Sequence, residues 1–139
     1  MRFIDSSVFL YAFLKPRKTL TGKAREYKES AKRILLRVEE GEPVATTIVH
    51  VSEVANILEA RLSLIDALSY VETILAKKNI TVYGVDLDAY LEALRLARKH
   101  LIGVNDALAI VYMKMHGINE IYSFDTDFDK VKGIKRITS

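Results

Sequence analysis

The stretch best suited to chemistry lies near the C-terminus, in residues 121–130, IYSFDTDFDK, where three aspartates alternate with other residues. Like charges this close repel one another, so the stretch either turns the chain in solvent or helps to hold a cation. A calcium loop of the EF-hand type is excluded. Counting from Asp125 puts Lys130 where that loop needs glycine and Arg136 where it needs glutamate. The open question is which other carboxylates reach the same place.

Short apolar runs alternate with amphipathic stretches along the whole chain and predict strands alternating with helices. Strands are predicted at residues 2–5, 44–46, 80–85, 120–123 and 135–138. Helices are predicted over residues 8–14, 23–40, 47–60, 63–78 and 86–101 and from 105 to 116. This pattern predicts one domain, residues 1–139, with a parallel sheet covered on both faces. The last helix carries ALAIVYM, which has no polar face and indicates a core position.

Ligands of such sheets bind beyond the C-terminal ends of the strands. Asp5 ends the first predicted strand, and Asp125 follows the fourth, 120 positions later. Asp106 opens the apolar helix that leads to the fourth strand, and Glu53 lies early in the helix after the second. Four carboxylates are therefore expected at one sheet edge. Their mutual repulsion is relieved by a hard divalent cation, Mg²⁺ or Mn²⁺, which prefers oxygen ligands.

Each of these residues also has a structural interpretation. Asp5 and Asp106 could cap helices, and Asp125 and Asp127 could be turn residues. Asp86 and Asp88 are assigned to capping, because acids suit the first turn of a helix. Other polar residues near the site are given structural roles: Asp129 is interpreted as a surface residue and His50, one turn before Glu53, as a packed histidine.

Charge is unevenly distributed along the chain. The net charge is +3, yet nine basic residues between Lys15 and Arg37 face only Glu26 and Glu29, a local charge of +7. Such a patch suits a phosphate backbone, and the alternative is a solvated helix face. The absence of cysteine excludes disulfides, thiolate metal sites and a cysteine nucleophile. The apolar runs are too short for a membrane span, and the N-terminus reads as strand and helix rather than a signal peptide, so a cytoplasmic protein is expected.

Four motifs, FIDSSVFLYAF, VSEVANIL, GVNDALAIVYMKMHG and IYSFDTDFDKV, occur in this order. Together they resemble the PIN-domain ribonucleases, including the VapC toxins of prokaryotic toxin–antitoxin pairs, over essentially the whole chain. The resemblance implies a Rossmann-like three-layer α/β/α sandwich with a central parallel sheet of four to five strands. It assigns the catalytic and metal-binding quartet to Asp5, Glu53, Asp106 and Asp125. Supporting residues would be Ser6 and Ser123, with Asp127 as an auxiliary acid.

The activity implied is metal-dependent hydrolysis of phosphodiester bonds in single-stranded RNA, leaving 5′-phosphate and 3′-hydroxyl ends. One or two Mg²⁺ or Mn²⁺ ions are expected, the principal one held by Asp5, Glu53 and Asp106, with Asp125 completing the pocket. The resemblance also implies a homodimer and an antitoxin protein that inserts a segment into the acidic groove. The residues expected to contact nucleic acid are Lys15, Arg17, Lys18, Lys23 and Arg25.

Three other functions stay open at this point. One is a PIN-like module that binds RNA or a partner without cutting. Another is a receiver-like Mg²⁺-binding signalling domain, although Ser6 and Ser7 stand where a receiver has an acidic pair. The third is a DNA-directed flap-type nuclease, for whose additional duplex-binding elements 139 residues leave little room.

Overall fold

A computed structural model describes residues 1–16, 18–19 and 21–139. These residues form a five-stranded sheet in the order β3-β2-β1-β4-β5, and all neighbouring strands run parallel. The strands are β1 (Arg2–Ile4), β2 (Val44–Thr47), β3 (Ile80–Tyr83), β4 (Glu120–Tyr122) and β5 (Lys135–Ile137). The parallel sheet predicted from the sequence is confirmed, including its fifth strand.

Six α-helices cover the sheet in the described part of the chain. They are α1 (Ser6–Phe13), α2 (Gly22–Glu39), α3 (Ile48–Arg61), α4 (Leu64–Ala76), α5 (Leu87–His100) and α6 (Val104–Met115). A short 3₁₀ helix, Thr126–Lys130, joins β4 to β5. In this part of the chain no helix has both the length and the apolarity needed to cross a membrane.

Polar caps determine where several helices begin. The hydroxyl of Ser63 accepts a hydrogen bond from the Asp66 amide at 3.1 Å, and Asp86 Oδ1 accepts one from the Ala89 amide at 2.8 Å. Thr47 caps α3 by accepting from the His50 amide. Each cap satisfies an amide that the helix itself leaves without a partner. The capping role predicted for Asp86 is confirmed, and Ser63 and Thr47 cap α4 and α3 in the same way.

Two helices begin earlier than the sequence predicts. Helix α1 starts at Ser6 rather than Val8, because the Asp5 carboxylate accepts from the Ser6 amide and caps the helix. Helix α6 starts at Val104, with Gly103 in the N-cap position and no side-chain cap. The interpretation of Asp106 as a helix cap is therefore wrong. Asp106 lies inside the first turn, so its carboxylate is free to point into the space beside the sheet.

The core is divided between the two faces of the sheet. On one face α5 and α6 pack with the 3₁₀ helix, and on the other α1, α2, α3 and α4 pack together. Residues 107–113 of α6 are all buried, as their lack of a polar face predicts. The helices therefore cover both faces of the sheet in two layers.

Leu108→Ala is expected to lower the free energy of unfolding by about 2–5 kcal/mol, because it opens a cavity in a closely packed helix. Leu108 is 0% exposed, whereas Leu36 on α2 is 57% exposed and serves as the matched control. Chemical denaturation of both variants measures the difference. Equal losses for Leu108→Ala and Leu36→Ala would contradict the central position of α6.

Candidate active site

The site lies at the C-terminal ends of β1 and β4, two neighbouring strands in which Ile4 is paired with Tyr122. The Asp5 amide continues this pairing by donating to the Tyr122 carbonyl oxygen at 3.0 Å. Beyond these strand ends opens a cleft of about 380 Å³, here called the acidic cleft. It is lined by Asp5, Ser6, Ser7, Leu10, Glu53, Gly103, Val104, Asn105, Asp106 and Asp125. The structure thus brings the four carboxylates named from the sequence to one cleft.

Asp5 is the most deeply buried of these acids, at 4% exposure. Its Oδ1 accepts from the Ser6 amide at 2.9 Å, and its Oδ2 accepts from the hydroxyls of Ser7 at 3.0 Å and Ser123 at 2.8 Å. Burial raises the pKa of Asp5, and the hydroxyl donors oppose that rise because they stabilise the ionised form. Asp5 both caps α1 and lines the cleft, so its structural and functional interpretations are compatible.

Two serines tie the acids together. Ser6 Oγ donates to Glu53 Oε1, and Ser123 Oγ accepts from the Asp125 amide at 3.0 Å while it donates to Asp5. These contacts are the kind expected of the supporting residues Ser6 and Ser123. Ser7 makes a third link, which was not predicted from the sequence. Its hydroxyl donates to Asp5 and also accepts from the Phe124 amide at 3.3 Å. The feature of the sequence that could have indicated this role is the position of Ser7 two residues after Asp5, at the end of β1.

Asp106, Asp125 and Asp127 form the tightest acidic group in the described residues, with one oxygen of each within 4.8 Å of the others. Burial, reinforced by the charges of Asp5 and Asp125, raises the pKa of Asp106 to about 8. The backbone holds the group together, since Asp125 Oδ1 accepts from the Asp127 amide at 2.9 Å. Three carboxylates so close suit a hard divalent cation, which removes their repulsion and accepts their oxygens as ligands.

This grouping differs from the ligand set implied for the principal ion, which combined Asp106 with Asp5 and Glu53. Both of those acids line the same cleft but stand outside the group of three. Their oxygens accept hydrogen bonds from hydroxyl or amide groups of the protein. Asp127, named as an auxiliary acid, belongs to the group, and its Oδ1 lies 3.0 Å from the Lys130 ammonium.

Glu53 is held by a chain of hydrogen bonds that was not predicted from the sequence. The side-chain nitrogen Nδ2 of Asn105 donates to Glu53 Oε2 at 3.1 Å, and the Tyr90 hydroxyl on α5 donates to Asn105 Oδ1 at 3.1 Å. His50 Nε2 donates to the Asn105 carbonyl oxygen at 3.0 Å. Glu53 is therefore fixed from both sides, by Ser6 on α1 and by Asn105 on α6. No short-range pattern reveals this chain, because its members lie far apart in sequence.

His50 is a packed residue, as its sequence context indicates. It is 1% exposed, its Nδ1 lies 2.6 Å from the Thr47 hydroxyl, and its ring meets Phe3 edge-on at 5.2 Å. Burial lowers the pKa of His50, which favours the neutral ring. The histidine supports the backbone at Asn105 and does not line the cleft.

The acids assigned structural roles lie elsewhere. Asp86 caps α5, Asp88 lies in its first turn, and Asp129 is a surface residue paired with Arg136 at 3.0 Å. Among the basic residues expected to contact nucleic acid, Lys15 and Lys18 line a cavity that shares Leu10 with the acidic cleft. The others of that set are Lys23 and Arg25, both exposed at the start of α2, and Arg17, which lies outside the described residues.

The family model of the PIN domain matches residues 2–134. The chain belongs to the PIN domain family. VapC20 of Mycobacterium tuberculosis, a toxin that cleaves the sarcin–ricin loop, has the same fold as this PIN domain, with a TM-score of 0.71, 22% identity and 93% of each chain covered.

Two toxin–antitoxin structures share the PIN-domain fold as well. One is a complex from Klebsiella pneumoniae, with a TM-score of 0.64 and 17% identity over 96% of this chain and 95% of that one. The other is VapBC2 of Rickettsia felis bound to a DNA fragment from its promoter, with a TM-score of 0.66 and 11% identity over 98% and 96% of the two chains. A search of curated proteins with this sequence finds no match. This PIN domain therefore has the fold of the VapC toxins.

Proposed function

We propose that this PIN domain is a metal-dependent endoribonuclease that hydrolyses phosphodiester bonds of single-stranded RNA, and that it is the toxin of a toxin–antitoxin pair. The observation that carries the proposal is the convergence of Asp5, Glu53, Asp106 and Asp125 on one cleft at the sheet edge. RNA is favoured as substrate because VapC20, of the same fold, cleaves the sarcin–ricin loop. Membership of the PIN family removes the receiver-like alternative, and Asp86 is occupied in capping α5.

The acids that line or adjoin the acidic cleft form two sets, which differ in how close their oxygens lie. Asp106, Asp125 and Asp127 offer oxygens close enough to hold one Mg²⁺ or Mn²⁺ ion. When bound, one or two such ions would supply Lewis-acid polarisation of the phosphodiester and an acidified water nucleophile. Asp5 and Glu53 hold fixed positions through hydroxyl and amide donors, which lets them orient a water molecule in the cleft or contribute further ligand oxygens.

The expected partners follow from the same proposal. The neighbours from Klebsiella pneumoniae and Rickettsia felis are toxin–antitoxin complexes, which favours an antitoxin for this chain. Leu87, Leu91 and Leu94 form an exposed apolar stripe along α5, which favours a homodimer. A cytoplasmic location suits an enzyme that cuts cellular RNA. Size-exclusion chromatography with light scattering tests the dimer.

The experiment that tests the activity uses one end-labelled single-stranded RNA and a DNA of the same sequence. The purified protein is incubated with Mn²⁺, with EDTA, and with EDTA followed by excess Mn²⁺. The expected result is cutting of RNA in the first and third reactions, with 5′-phosphate and 3′-hydroxyl ends. Cutting that persists in EDTA would contradict the proposal. RNA that binds but stays intact in all three reactions would identify a non-catalytic module instead, and preferential cutting of DNA would identify a DNA-directed nuclease.

Tyr90→Phe is expected to slow RNA cleavage by about three- to tenfold while costing about 1 kcal/mol of stability, since it removes one hydrogen bond from the chain that holds Glu53. Tyr90 donates to Asn105 and does not line the acidic cleft, so it acts by positioning. Initial rates with saturating Mn²⁺ measure the loss. The matched control is Tyr83→Phe, on the outermost strand β3 and outside the acidic cleft. An unchanged rate in Tyr90→Phe would show that Glu53 is held adequately without it.

A further inference from the structure

A second cavity, of about 340 Å³, opens beside the acidic cleft. Its apolar wall comes from Leu10, Tyr11, Leu14 and Pro16, at the end of α1 and just beyond it. Its remaining lining residues, among those described, are all basic: Lys15, Lys18, Lys28 and Arg61. We propose that this cavity, here called the base cavity, binds a nucleobase of the RNA strand whose phosphodiester lies in the acidic cleft. The proposal rests on the ribonuclease activity proposed above.

The two cavities are adjacent, because Leu10 lines both of them. Leu10 on α1 and Leu14 at its C-cap follow Ser6 by about one and two helical turns, about 6 and 12 Å at 1.5 Å per residue. Stacked nucleotides advance by about 3.4 Å along a strand. A strand with a phosphodiester at the acids therefore reaches the base cavity within about two to four nucleotides.

The aromatic wall of the base cavity is held in place by its neighbours. The Tyr11 ring meets Tyr27 edge-on at 5.6 Å and Phe124 edge-on at 5.4 Å, and Tyr27 and Phe124 stack at 4.7 Å. Phe124 directly precedes Asp125, so the position of the Tyr11 ring is fixed relative to the acids. A fixed aromatic ring can stack with a base of any sequence.

The charge at the base cavity favours a polyanion over a neutral apolar ligand. Lys28 is already used inside the protein, since its ammonium donates to the carbonyl oxygens of Tyr11 at 2.9 Å and Leu14 at 2.7 Å. The other three cations, Lys15, Lys18 and Arg61, are exposed and form no ion pair with any carboxylate in the described ranges. A nucleotide combines the flat apolar ring and the phosphate that this cavity matches.

The first test measures RNA binding in EDTA, so that the strand stays intact, by fluorescence anisotropy of a labelled ten-nucleotide RNA at several salt concentrations. Lys15→Ala, Lys18→Ala and Arg61→Ala should each weaken binding and reduce the slope of log affinity against log salt by about 0.7. The matched controls are Lys78→Ala and Lys99→Ala, which remove exposed lysines from other parts of the surface. Equal effects in both groups would overturn the assignment of the cations.

The second test reports on the base itself. The chain has no tryptophan, so Tyr11→Trp places a single fluorophore in the base cavity and Tyr83→Trp places one at the far edge of the sheet. Intact RNA should quench Trp at position 11 and leave position 83 unchanged, whereas an abasic oligomer of equal length should quench neither. RNA should also bind about five- to a hundredfold more tightly than the abasic oligomer.

The outcomes separate this proposal from the one beneath it. If RNA is cut with Mn²⁺ but the abasic oligomer binds as tightly as RNA and position 11 is not quenched, the base cavity is wrong and the ribonuclease stands. That result would leave the cavity to a protein segment. If RNA is neither bound nor cut by a folded protein, both proposals fail.

Discussion

Asp106→Asn is expected to lower Mn²⁺-dependent RNA cleavage by about a hundred- to a thousandfold and to leave the fold intact. Asp106 belongs to the group of three carboxylates whose oxygens lie within 4.8 Å of one another. Asparagine keeps the shape of the side chain but removes the charge that binds a cation. Because burial and nearby charges raise the pKa of Asp106 to about 8, the Asp106 carboxyl is largely protonated and uncharged near pH 7 without metal. An asparagine amide in its place should therefore not destabilise the protein.

The matched control for this substitution is Asp129→Asn. Asp129 lies two residues after Asp127 but faces solvent and pairs with Arg136 at 3.0 Å, outside the acidic cleft. Its cleavage rate should equal that of the wild type, and melting temperatures without metal should show that both variants fold. Full activity in Asp106→Asn would remove the acidic cleft from the reaction. An equal loss in both variants would show that the effect is not specific to the cleft.

Mn²⁺ is expected to bind about fiftyfold more tightly at pH 8 than at pH 6, as measured by calorimetric titration at constant ionic strength. A carboxylate must lose its proton to bind a metal ion. Since burial and the neighbouring charges raise the pKa of Asp106 to about 8, the Asp106 carboxyl is ionised in only about 1% of the molecules at pH 6. Asp5 adds to the effect in the same direction, because burial raises its pKa too.

The raised pKa of Asp106 also affects the free energy of unfolding of the metal-free protein. A carboxyl whose pKa rises from 3.8 in the unfolded chain to about 8 in the folded protein binds more protons when folded. The free energy of unfolding should therefore fall as the pH rises from about 4 to 8. The lowered pKa of His50 acts in the opposite direction below about 6.5, so the clean window is pH 6.5 to 8.

Melting temperatures across that window check this consequence. The wild type without metal should lose stability toward pH 8, Mn²⁺ should restore it, and Asp106→Asn should show a smaller slope and less stabilisation by Mn²⁺. Equal Mn²⁺ affinity at pH 6 and pH 8 would count against Asp106 as a ligand. A melting temperature that rises between pH 6.5 and 8 in the absence of metal would contradict the raised pKa of the folded protein.

Much of the fold could be predicted because its signals are local. Short apolar runs mark the strands, and polar caps such as Ser63 and Asp86 mark where helices begin. The rule that ligands bind beyond the C-terminal strand ends then selects Asp5 and Asp125 from the acids of the chain. The start of α6 was mispredicted because Asn105 and Asp106 resemble capping residues, whereas Gly103 occupies the N-cap position and leaves both side chains for the site.

The arrangement inside the acidic cleft could not be predicted, because it depends on contacts between distant residues. The sequence places Glu53 and Asp106 at one edge but does not say which oxygens meet. The chain from Tyr90 through Asn105 to Glu53 links three elements, and the serine hydroxyls that surround Asp5 come from both α1 and the end of β4. The distances between oxygens set Asp106, Asp125 and Asp127 apart as the tighter group and leave Asp5 and Glu53 outside it.

The most direct test of the acidic cleft as a divalent-cation site is anomalous X-ray diffraction from crystals of the wild type grown with Mn²⁺. The expected result is an anomalous peak that marks a Mn²⁺ ion bound by oxygens of Asp106 and Asp125. Asp127, Asp5 or Glu53 should complete the coordination directly or through water. The same crystals of Asp106→Asn should lose that peak or show it much weakened. A protein saturated with Mn²⁺ that shows no peak in the cleft, or shows one only at Asp86 and Asp88, would contradict the site.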